Sequence, residues 1–186
     1  MYDIITGMSK EIYNKFGAMM LDSFCEYWPK DLSLTVYTED NINFNSNRIN
    51  KFCLYDLDNG YKEFQESTYQ KLENRCFKFS KKAFPIIKHL ESNQGKLIWL
   101  DADLITQNTI SYDWLDSLIN PTDFSCHFGV PQGSFYSVET GFFIINRSNK
   151  YKNTFLEKYK NIYTTKDFSN MYKPFDGDVF GRVIRE

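Results

Sequence analysis

The chain has 186 residues, of which 42% are hydrophobic and 25% are charged. This length and hydrophobic content predict one domain, residues 1–186, with a core of its own. A formal net charge of −2 gives no support for nucleic-acid binding, and no apolar run reaches the roughly 20 residues that a transmembrane helix needs.

The N-terminus and the cysteines both favour an intracellular protein. Residues 1–7 lack the basic start and the apolar core of a secretory signal peptide. Four widely spaced cysteines without a C-x-x-C pair predict reduced thiols rather than a disulfide framework or a zinc site: Cys25, Cys53, Cys76 and Cys126. We therefore expect a cytoplasmic location.

The first part of the chain alternates strand, helix and strand. Tyr2–Thr6 is a short apolar run that predicts a strand, and apolar residues at helical spacing predict a helix that begins at residue 9 or 10 and ends near residue 27. Leu34–Thr38 predicts a second strand, and Phe52–Tyr55 predicts a short third strand. A strand–helix–strand unit of this kind predicts a parallel sheet.

A basic amphipathic helix is predicted over Arg75–Leu90, which contains no acidic residue. On a helical wheel, Arg75, Lys78 and Lys82 stack beside the apolar arc, so that the helix presents a basic edge. The pattern leaves two interpretations open, a ligand-binding edge or a solvated basic face. Pro85 is expected to kink the helix or to begin a new one, because proline lacks a backbone donor.

The most informative stretch is Lys96–Thr106, which reads K-L-I-W-L-D-A-D-L-I-T. The uninterrupted apolar run before Asp101 predicts a strand buried on both faces. Asp101 and Asp103 then fall beyond its carboxyl end, where open α/β sheets bind ligands. Paired carboxylates there favour Mn²⁺ or Mg²⁺ together with a phosphorylated substrate. Because the chain has no glycine-rich phosphate loop, the metal and basic side chains would have to hold the phosphate.

The remaining elements complete an α/β pattern. Tyr112–Ile119 predicts a short helix with Trp114 and Leu118 facing inward. Two strands and two helices are then predicted in the order Asp123–Val130, Glu139–Arg147, Lys150–Ile162 and Phe175–Glu186. The last helix opens with Asp176-Gly177-Asp178, where one carboxylate could equally be a helix cap.

These motifs together resemble the nucleotide-sugar glycosyltransferases of the GT-A fold. The resemblance rests on their order: a basic helix, the I-W-L-D-A-D strand, the strand V-E-T-G-F-F-I-I-N and the acidic helix start F-D-G-D-V-F. It covers most of the chain and implies a Rossmann-like α/β domain with a mostly parallel central sheet flanked by helices. It also implies sugar transfer from a nucleotide-diphosphate sugar, most readily a UDP-sugar, to a glycan or lipid-linked acceptor.

The resemblance assigns roles to particular residues. Asp101 and Asp103 would bind Mn²⁺ or Mg²⁺, with Asp103 as the direct ligand and Asp101 also in contact with the donor ribose. The other donor-binding candidates are Thr6, Arg75, Lys78 and Lys82. Candidates for a catalytic role are Glu139, Asp176 and Asp178, which could position an acceptor hydroxyl, take its proton or bind the donor sugar. A surface glutamate that begins a strand is an equally good interpretation of Glu139.

One departure keeps other functions open. Many metal-dependent members of this fold use a histidine near the C-terminus as a third ligand, whereas this chain has only His89 and His127. The chain could therefore be a nucleotide-sugar- or glycan-binding module without turnover. A haloacid-dehalogenase-type phosphatase, which also uses D-x-D after a strand, is a further alternative, although that motif usually follows the first strand.

Overall fold

The computed structural model describes residues 1–57, 60–67, 74–92, 94–128, 137–168 and 175–185, but not the side chains of residues 74 and 75. Its strands are β1 (Tyr2–Gly7), β2 (Leu34–Thr38), β3 (Ile49–Cys53), β4 (Lys96–Leu100), β5 (Ser125–Phe128) and β6 (Phe142–Asn146). They form one sheet in the order β3-β2-β1-β4-β6-β5. The first four strands in this order are parallel, and β6 is antiparallel to both β4 and β5. The predicted, mostly parallel α/β architecture is confirmed.

The helices of the described residues are α1 (Lys10–Ile12), α2 (Ala18–Tyr27), α3 (Tyr61–Gln65), α4 (Asn74–Leu90), α5 (Tyr112–Ser117), α6 (Lys152–Thr165) and α7 (Asp176–Arg185). A π-helical turn, Tyr13–Gly17, joins α1 to α2, so the predicted first helix is continuous but irregular. The side chain of Ser9 caps α1 by accepting from the backbone N–H of Ile12.

Side-chain alternation along the strands builds a core on each face of the sheet. In β4, Leu97 and Trp99 face the core that packs against α4, α6 and α7. Ile98 and Leu100 face the opposite core, which packs against α2 and α5. Because both faces are covered, the strand is apolar and buried from Leu97 to Leu100, and the carboxylate of Asp101 follows directly at its end.

Helix α4 runs through Pro85 as one helix, so of the two outcomes expected at this proline, a kink or a new helix, the new helix does not occur. Proline cannot donate to the carbonyl of Lys81, one turn earlier. That carbonyl lies against Gly7, where an added Cβ would sit 3.3 Å from the Lys81 oxygen. Gly7, which ends β1, therefore leaves room beside the sheet for the Lys81 carbonyl, which receives no hydrogen bond from Pro85.

Two other helices differ from their predictions, α5 in one residue expected to face inward and α6 in its first residue. In α5 the buried residue is Leu115, and Leu118, just after the helix, packs partly buried against the same core as expected, whereas Trp114, also expected to face inward, is 40% exposed. Helix α6 begins at Lys152 rather than at residue 150, and it buries the side chain of Lys152, whose Nζ donates to the carbonyl of Leu90 at 2.9 Å. In a short helix few residues contribute to the hydrophobic periodicity, so an error of one residue in the pattern predicts the wrong buried face.

The observed bounds of two strands, β3 and β6, differ from the predicted ones where polar residues lie beside apolar runs. Strand β3 is Ile49–Cys53 rather than residues 52–55, because the chain turns into a 3₁₀ helix at Leu54–Asp56. Strand β6 starts at Phe142 and not at Glu139, which leaves residues 139–141 as an irregular segment at the edge of the sheet. This segment contributes to the candidate site.

The remaining expectations concern thiols and membranes. None of the four cysteines, all of which lie in the described residues, forms a disulfide bond in the structure. Within the described residues, no helix is both long and apolar enough to cross a bilayer.

Candidate active site

The carboxyl ends of β1, β2 and β4 open into a cavity of about 540 Å³. Residues that follow these strands form its floor, and residues from α1, the π-helical turn and α4 form its sides. This is the edge at which open α/β sheets bind ligands. The charged side chains that line the cavity are Glu39, Lys78, Lys81, Lys82, Asp101, Asp103 and Asp176.

Lys82 joins three parts of the chain at one side of this cavity. Its Nζ lies 2.9 Å from Oδ1 of Asp101 and 2.8 Å from Oδ2 of Asp176, and it donates to the carbonyl oxygen of Thr140 at 2.5 Å. The lysine side chain is only 8% exposed. A buried ammonium is tolerated when it is paired and fully hydrogen-bonded, and here three oxygens accept its three protons. Two predicted site carboxylates are therefore held together by a predicted donor-binding lysine.

The charges in this cluster support one another. Burial acts to lower the pKa of Lys82, but Asp101 and Asp176 outweigh it and raise that pKa, so the ammonium stays charged. Burial acts to raise the pKa of Asp176, but Lys82 and the hydroxyl of Thr140, which donates at 2.8 Å, lower it on balance. At Asp101 burial prevails and raises the pKa despite Lys82.

Trp99 supports the same cluster from within β4. Its indole Nε1 donates to Oδ1 of Asp101 at 2.6 Å, and the Nζ of Lys82 lies 5.1 Å from the centre of a Trp99 ring. The tryptophan thus fixes the carboxylate by a hydrogen bond and favours the nearby cation through its π face. This contact is local in sequence, and the W-L-D spacing of the strand places both side chains on one face.

Asp103 lines the cavity but differs from Asp101 in its surroundings. It is exposed, and its carboxylate makes no hydrogen bond or ion pair with any described residue. Oδ2 of Asp101 likewise has no hydrogen-bonding partner in the part of the chain that the structure describes. Within that part, no cluster of three or more metal-ligating His, Cys, Asp or Glu side chains is present. Two carboxylates with free oxygens at this cavity fit a Mg²⁺ or Mn²⁺ ion completed by water and substrate phosphates.

The irregular segment before β6 brings Glu139 next to this cluster. Oε1 of Glu139 accepts from the backbone N–H groups of Thr140 and Gly141, at 3.1 and 2.8 Å. Gly141 in turn accepts from the N–H of Asp101 at 2.7 Å. A Cβ added to Gly141 would lie 3.1 Å from Oε1 of Glu139 and 3.6 Å from Oδ2 of Asp101. The two carboxylates therefore flank the same glycine.

The other predicted site residues are more scattered. Lys78 is exposed and lines the cavity, whereas Thr6 is wholly buried and only the residues after it reach the lining. Asp178 is also buried and lies outside the described cavity lining. Arg75 belongs to α4, but its side chain falls outside the described residues. The roles assigned to these residues stay predictions.

The structure also brings in residues that the sequence did not single out. Glu39, in the acidic turn after β2, pairs with Lys81 and accepts from the hydroxyl of Tyr61 on the far side of the cavity. Thr140 supplies both a carbonyl and a hydroxyl to the Lys82 cluster. The position of Glu39 after a parallel strand was a usable signal, but nothing in the sequence marks Thr140.

Comparison with known proteins identifies the fold. The sequence matches no protein-family model, and no curated protein is significantly similar to it. The structure is similar to that of the galactosyltransferase LgtC in complex with donor and acceptor sugar analogues, with 12% identity, 97% of this chain and 70% of LgtC covered, and a TM-score of 0.57.

Two further glycosyltransferases show the same similarity. For mouse xyloside xylosyltransferase 1 the identity is 11%, the coverage is 99% of this chain and 81% of the other, and the TM-score is 0.59. For the glycosyltransferase GlyE of Streptococcus pneumoniae TIGR4 the identity is 13% and the TM-score is 0.62. The match covers 100% of this chain and 44% of GlyE, so the chain spans less than half of GlyE. The chain has the fold of these glycosyltransferases, which confirms the predicted Rossmann-like GT-A fold.

Proposed function

We propose that the chain is a metal-dependent glycosyltransferase that moves a sugar from a nucleotide-diphosphate sugar to a hydroxyl group of a glycan or lipid-linked acceptor. The observation that carries this proposal is the Lys82 cluster, which holds Asp101 and Asp176 together at the cavity beyond the parallel strands. A glycosyltransferase fold with acidic side chains at this edge supports sugar transfer better than phosphoester hydrolysis, so the phosphatase alternative is not retained.

Asp103 and Asp101 are the residues that would hold the metal ion. Asp103 is exposed in the cavity, and Oδ2 of Asp101 faces away from the lysine contact made by Oδ1. When bound, Mn²⁺ or Mg²⁺ supplies Lewis-acid stabilisation to the departing diphosphate. The two carboxylates leave most coordination positions to water and substrate, as is usual for Mg²⁺ at phosphate sites.

Basic side chains on one wall of the cavity suit a diphosphate. Lys78 and Lys81 project from α4 into the cavity, while Lys82 lies deeper. Charge at these positions stabilises an anion without a glycine-rich loop. Lys82 already has three partners, so its role is to orient Asp101 and Asp176, and Lys78 is the better phosphate contact.

The remaining carboxylates divide between the donor sugar and the acceptor. Asp176 lines the cavity and keeps its charge through Lys82, which suits it to accept hydrogen bonds from donor-sugar hydroxyls. Glu139 lies across Gly141 from Asp101 and could position an acceptor hydroxyl or take its proton. Asp178 is buried, so its proposed contribution is to hold the start of α7 in place.

Calorimetric titration with UDP and GDP, with and without Mn²⁺, tests donor binding. We expect UDP to bind more tightly with Mn²⁺, and Asp103→Asn to abolish that difference because the amide lacks the anionic charge. Asp22→Asn, at an exposed position on α2 outside the cavity lining, is the matched control and should bind like the original protein. The proposal fails if no nucleotide binds, or if binding ignores both the metal and Asp103.

A binding module without turnover is the second candidate, because the described residues provide two rather than three clustered metal ligands. Incubation with UDP-glucose and UDP-galactose distinguishes the two. Release of UDP that depends on Mn²⁺ and on Asp103 indicates an enzyme, whereas tight nucleotide binding without release indicates a module. A cytoplasmic location and a single domain over residues 1–186 remain predictions from the sequence.

A further inference from the structure

Three aromatic rings are stacked on the α5 side of the sheet. The rings of Trp114 and Phe142 lie 6.2 Å apart with an interplanar angle of 25°, and those of Phe142 and Phe128 lie 4.8 Å apart, also at 25°. We call Trp114, Phe142 and Phe128 the aromatic platform. Trp114 is its outer member and is 40% exposed, although α5 buries Leu115 completely beside it. The large ring of Trp114 is therefore accessible at the surface, although its neighbour in the same helix is fully buried.

The platform lies on the other face of the sheet from the Lys82 cluster but at the same edge, because Phe142 pairs with Leu100, the residue before Asp101. Phe142 follows Gly141 directly, and a Cβ at Gly141 would lie 3.6 Å from Oδ2 of Asp101 and 4.0 Å from Cδ1 of Leu104. Leu104 is itself exposed, as is Ile105 after it. The middle ring of the platform, Phe142, therefore directly follows the glycine that Asp101 and Glu139 flank.

The charge of this region restricts what can bind there. Residues 101–128, which supply most of this surface, contain five aspartates and no lysine or arginine. Four of the aspartates, Asp103, Asp113, Asp116 and Asp123, are exposed, and of these Asp116 pairs with Lys96. An anionic membrane or a highly charged anionic glycan would be repelled by such a surface. A neutral sugar would not, and its hydroxyls can donate hydrogen bonds to carboxylates.

We propose that the aromatic platform binds a pyranose ring of a neutral glycan acceptor at the edge of the sheet where Asp101 and Glu139 lie. The C–H face of the pyranose packs on the Trp114 ring, while its hydroxyl edge remains available to polar groups. This inference rests on the proposed glycosyltransferase function, and it names the acceptor class and the residue that recognises it. Trp114 acts here as an acceptor-binding residue.

Acrylamide quenching of tryptophan fluorescence gives a direct test, because the three tryptophans differ sharply in exposure. Trp28 and Trp99 are 3% and 2% exposed, so quenching reports almost entirely on Trp114. The probes are the neutral oligosaccharides maltotriose, cellotriose and N-acetylchitotriose. We expect at least one of them to protect Trp114 from acrylamide in a saturable manner. If none of the three protects it, the inference is wrong.

Variants separate stacking from a general effect on folding. By saturation-transfer NMR, Trp114→Ala should bind the protecting oligosaccharide about tenfold more weakly, the loss expected when a stacking tryptophan is truncated. Trp114→Phe retains a stacking ring and should bind close to the original protein. Tyr151→Ala removes another exposed aromatic ring, at the start of α6, and is the matched control. Urea midpoints for all variants show whether they fold.

Two other results have distinct meanings. Protection of Trp114 by neutral phosphatidylcholine vesicles, but by none of the oligosaccharides, overturns the inference in favour of a lipid surface. Nucleotide titration distinguishes its failure from that of the proposed function. If UDP binds with Mn²⁺ while no sugar protects Trp114, only the acceptor inference fails. If sugars protect Trp114 and no nucleotide binds, the platform is a glycan site and the transferase proposal fails.

Discussion

Replacing Lys82 by methionine tests the central feature of the candidate site. The change removes the ammonium but keeps an unbranched side chain in the same space. Asp101 and Asp176 then face each other without their shared cation, and their side chains are 38% and 16% exposed. Removing one partner of a buried ion pair costs about 3–5 kcal/mol, and the solvent access of Asp101 lowers the expected cost here to about 2–3 kcal/mol at neutral pH.

The loss of stability should increase with pH. Without Lys82, burial and mutual repulsion raise the pKa of the two carboxyl groups above their ordinary value of 3.8. When folding raises the pKa of a carboxyl group, its contribution to stability is complete below the pKa that the group has in the unfolded chain. That contribution is lost as pH rises through the pKa that the group has in the folded protein. Lys82→Met should therefore be closest to the original protein in acid and furthest from it above neutral pH.

Urea unfolding followed by circular dichroism at several pH values measures both effects, provided that the m-value stays constant. Lys78→Met, at an exposed position on the same helix, is the control and should change the free energy of unfolding by less than about 0.5 kcal/mol. Adding Asp176→Asn to Lys82→Met should recover part of the loss, because one unpaired carboxylate remains instead of two. A Lys82→Met variant as stable as Lys78→Met at neutral pH would refute the buried cluster.

Three further predictions follow from other contacts. Trp99→Phe removes the indole donor to Asp101, so it should cost about 1–2 kcal/mol of stability by urea unfolding and weaken UDP binding by calorimetry. The hydrogen bond from His89, opposed by burial and assisted by a buried arginine, lowers the pKa of Asp3 to about 2. Asp3 therefore stabilises the fold above pH 3.8 and stops doing so as pH falls to about 2. Because Asp3 is partly exposed, Asp3→Asn should cost only about 1 kcal/mol at neutral pH, and urea titrations should show the difference vanishing in strong acid. Removing metal with EDTA should reduce UDP binding but leave the urea midpoint unchanged, since Lys82 already pairs the buried carboxylates; a large fall in the midpoint would contradict this.

Much of the fold could be predicted because its signals are local. The apolar run before Asp101 gave β4, and helical periodicity gave α4 with nearly its observed bounds. Signals weaken where the element is short or one residue decides its face. Trp114 is the clearest example: its spacing in a six-residue helix fits an inward position, yet the helix buries Leu115 instead.

The candidate site was predictable in its residues but not in its connections. Asp101, Lys82 and Asp176 were identified separately, from a strand end, a basic helix and an acidic helix start. Their meeting depends on contacts between residues 19 and 94 positions apart, which no local pattern encodes. Thr140 shows the limit most clearly, because its carbonyl and hydroxyl complete the cluster through the fold alone.

Lys82 also determines how a metal ion could enter this site. With Lys82 charged, Asp101 and Asp176 keep one uncompensated negative charge between them, and Asp103 adds another at the cavity surface. A divalent cation would balance these two charges, after which a nucleotide diphosphate would again make the site anionic and draw on the lysines of α4. The buried pairing does not need the metal, so the fold can form first and the metal can arrive with the donor. The metal is therefore needed for donor binding, whereas Lys82 stabilises the buried carboxylates of the site in the folded protein.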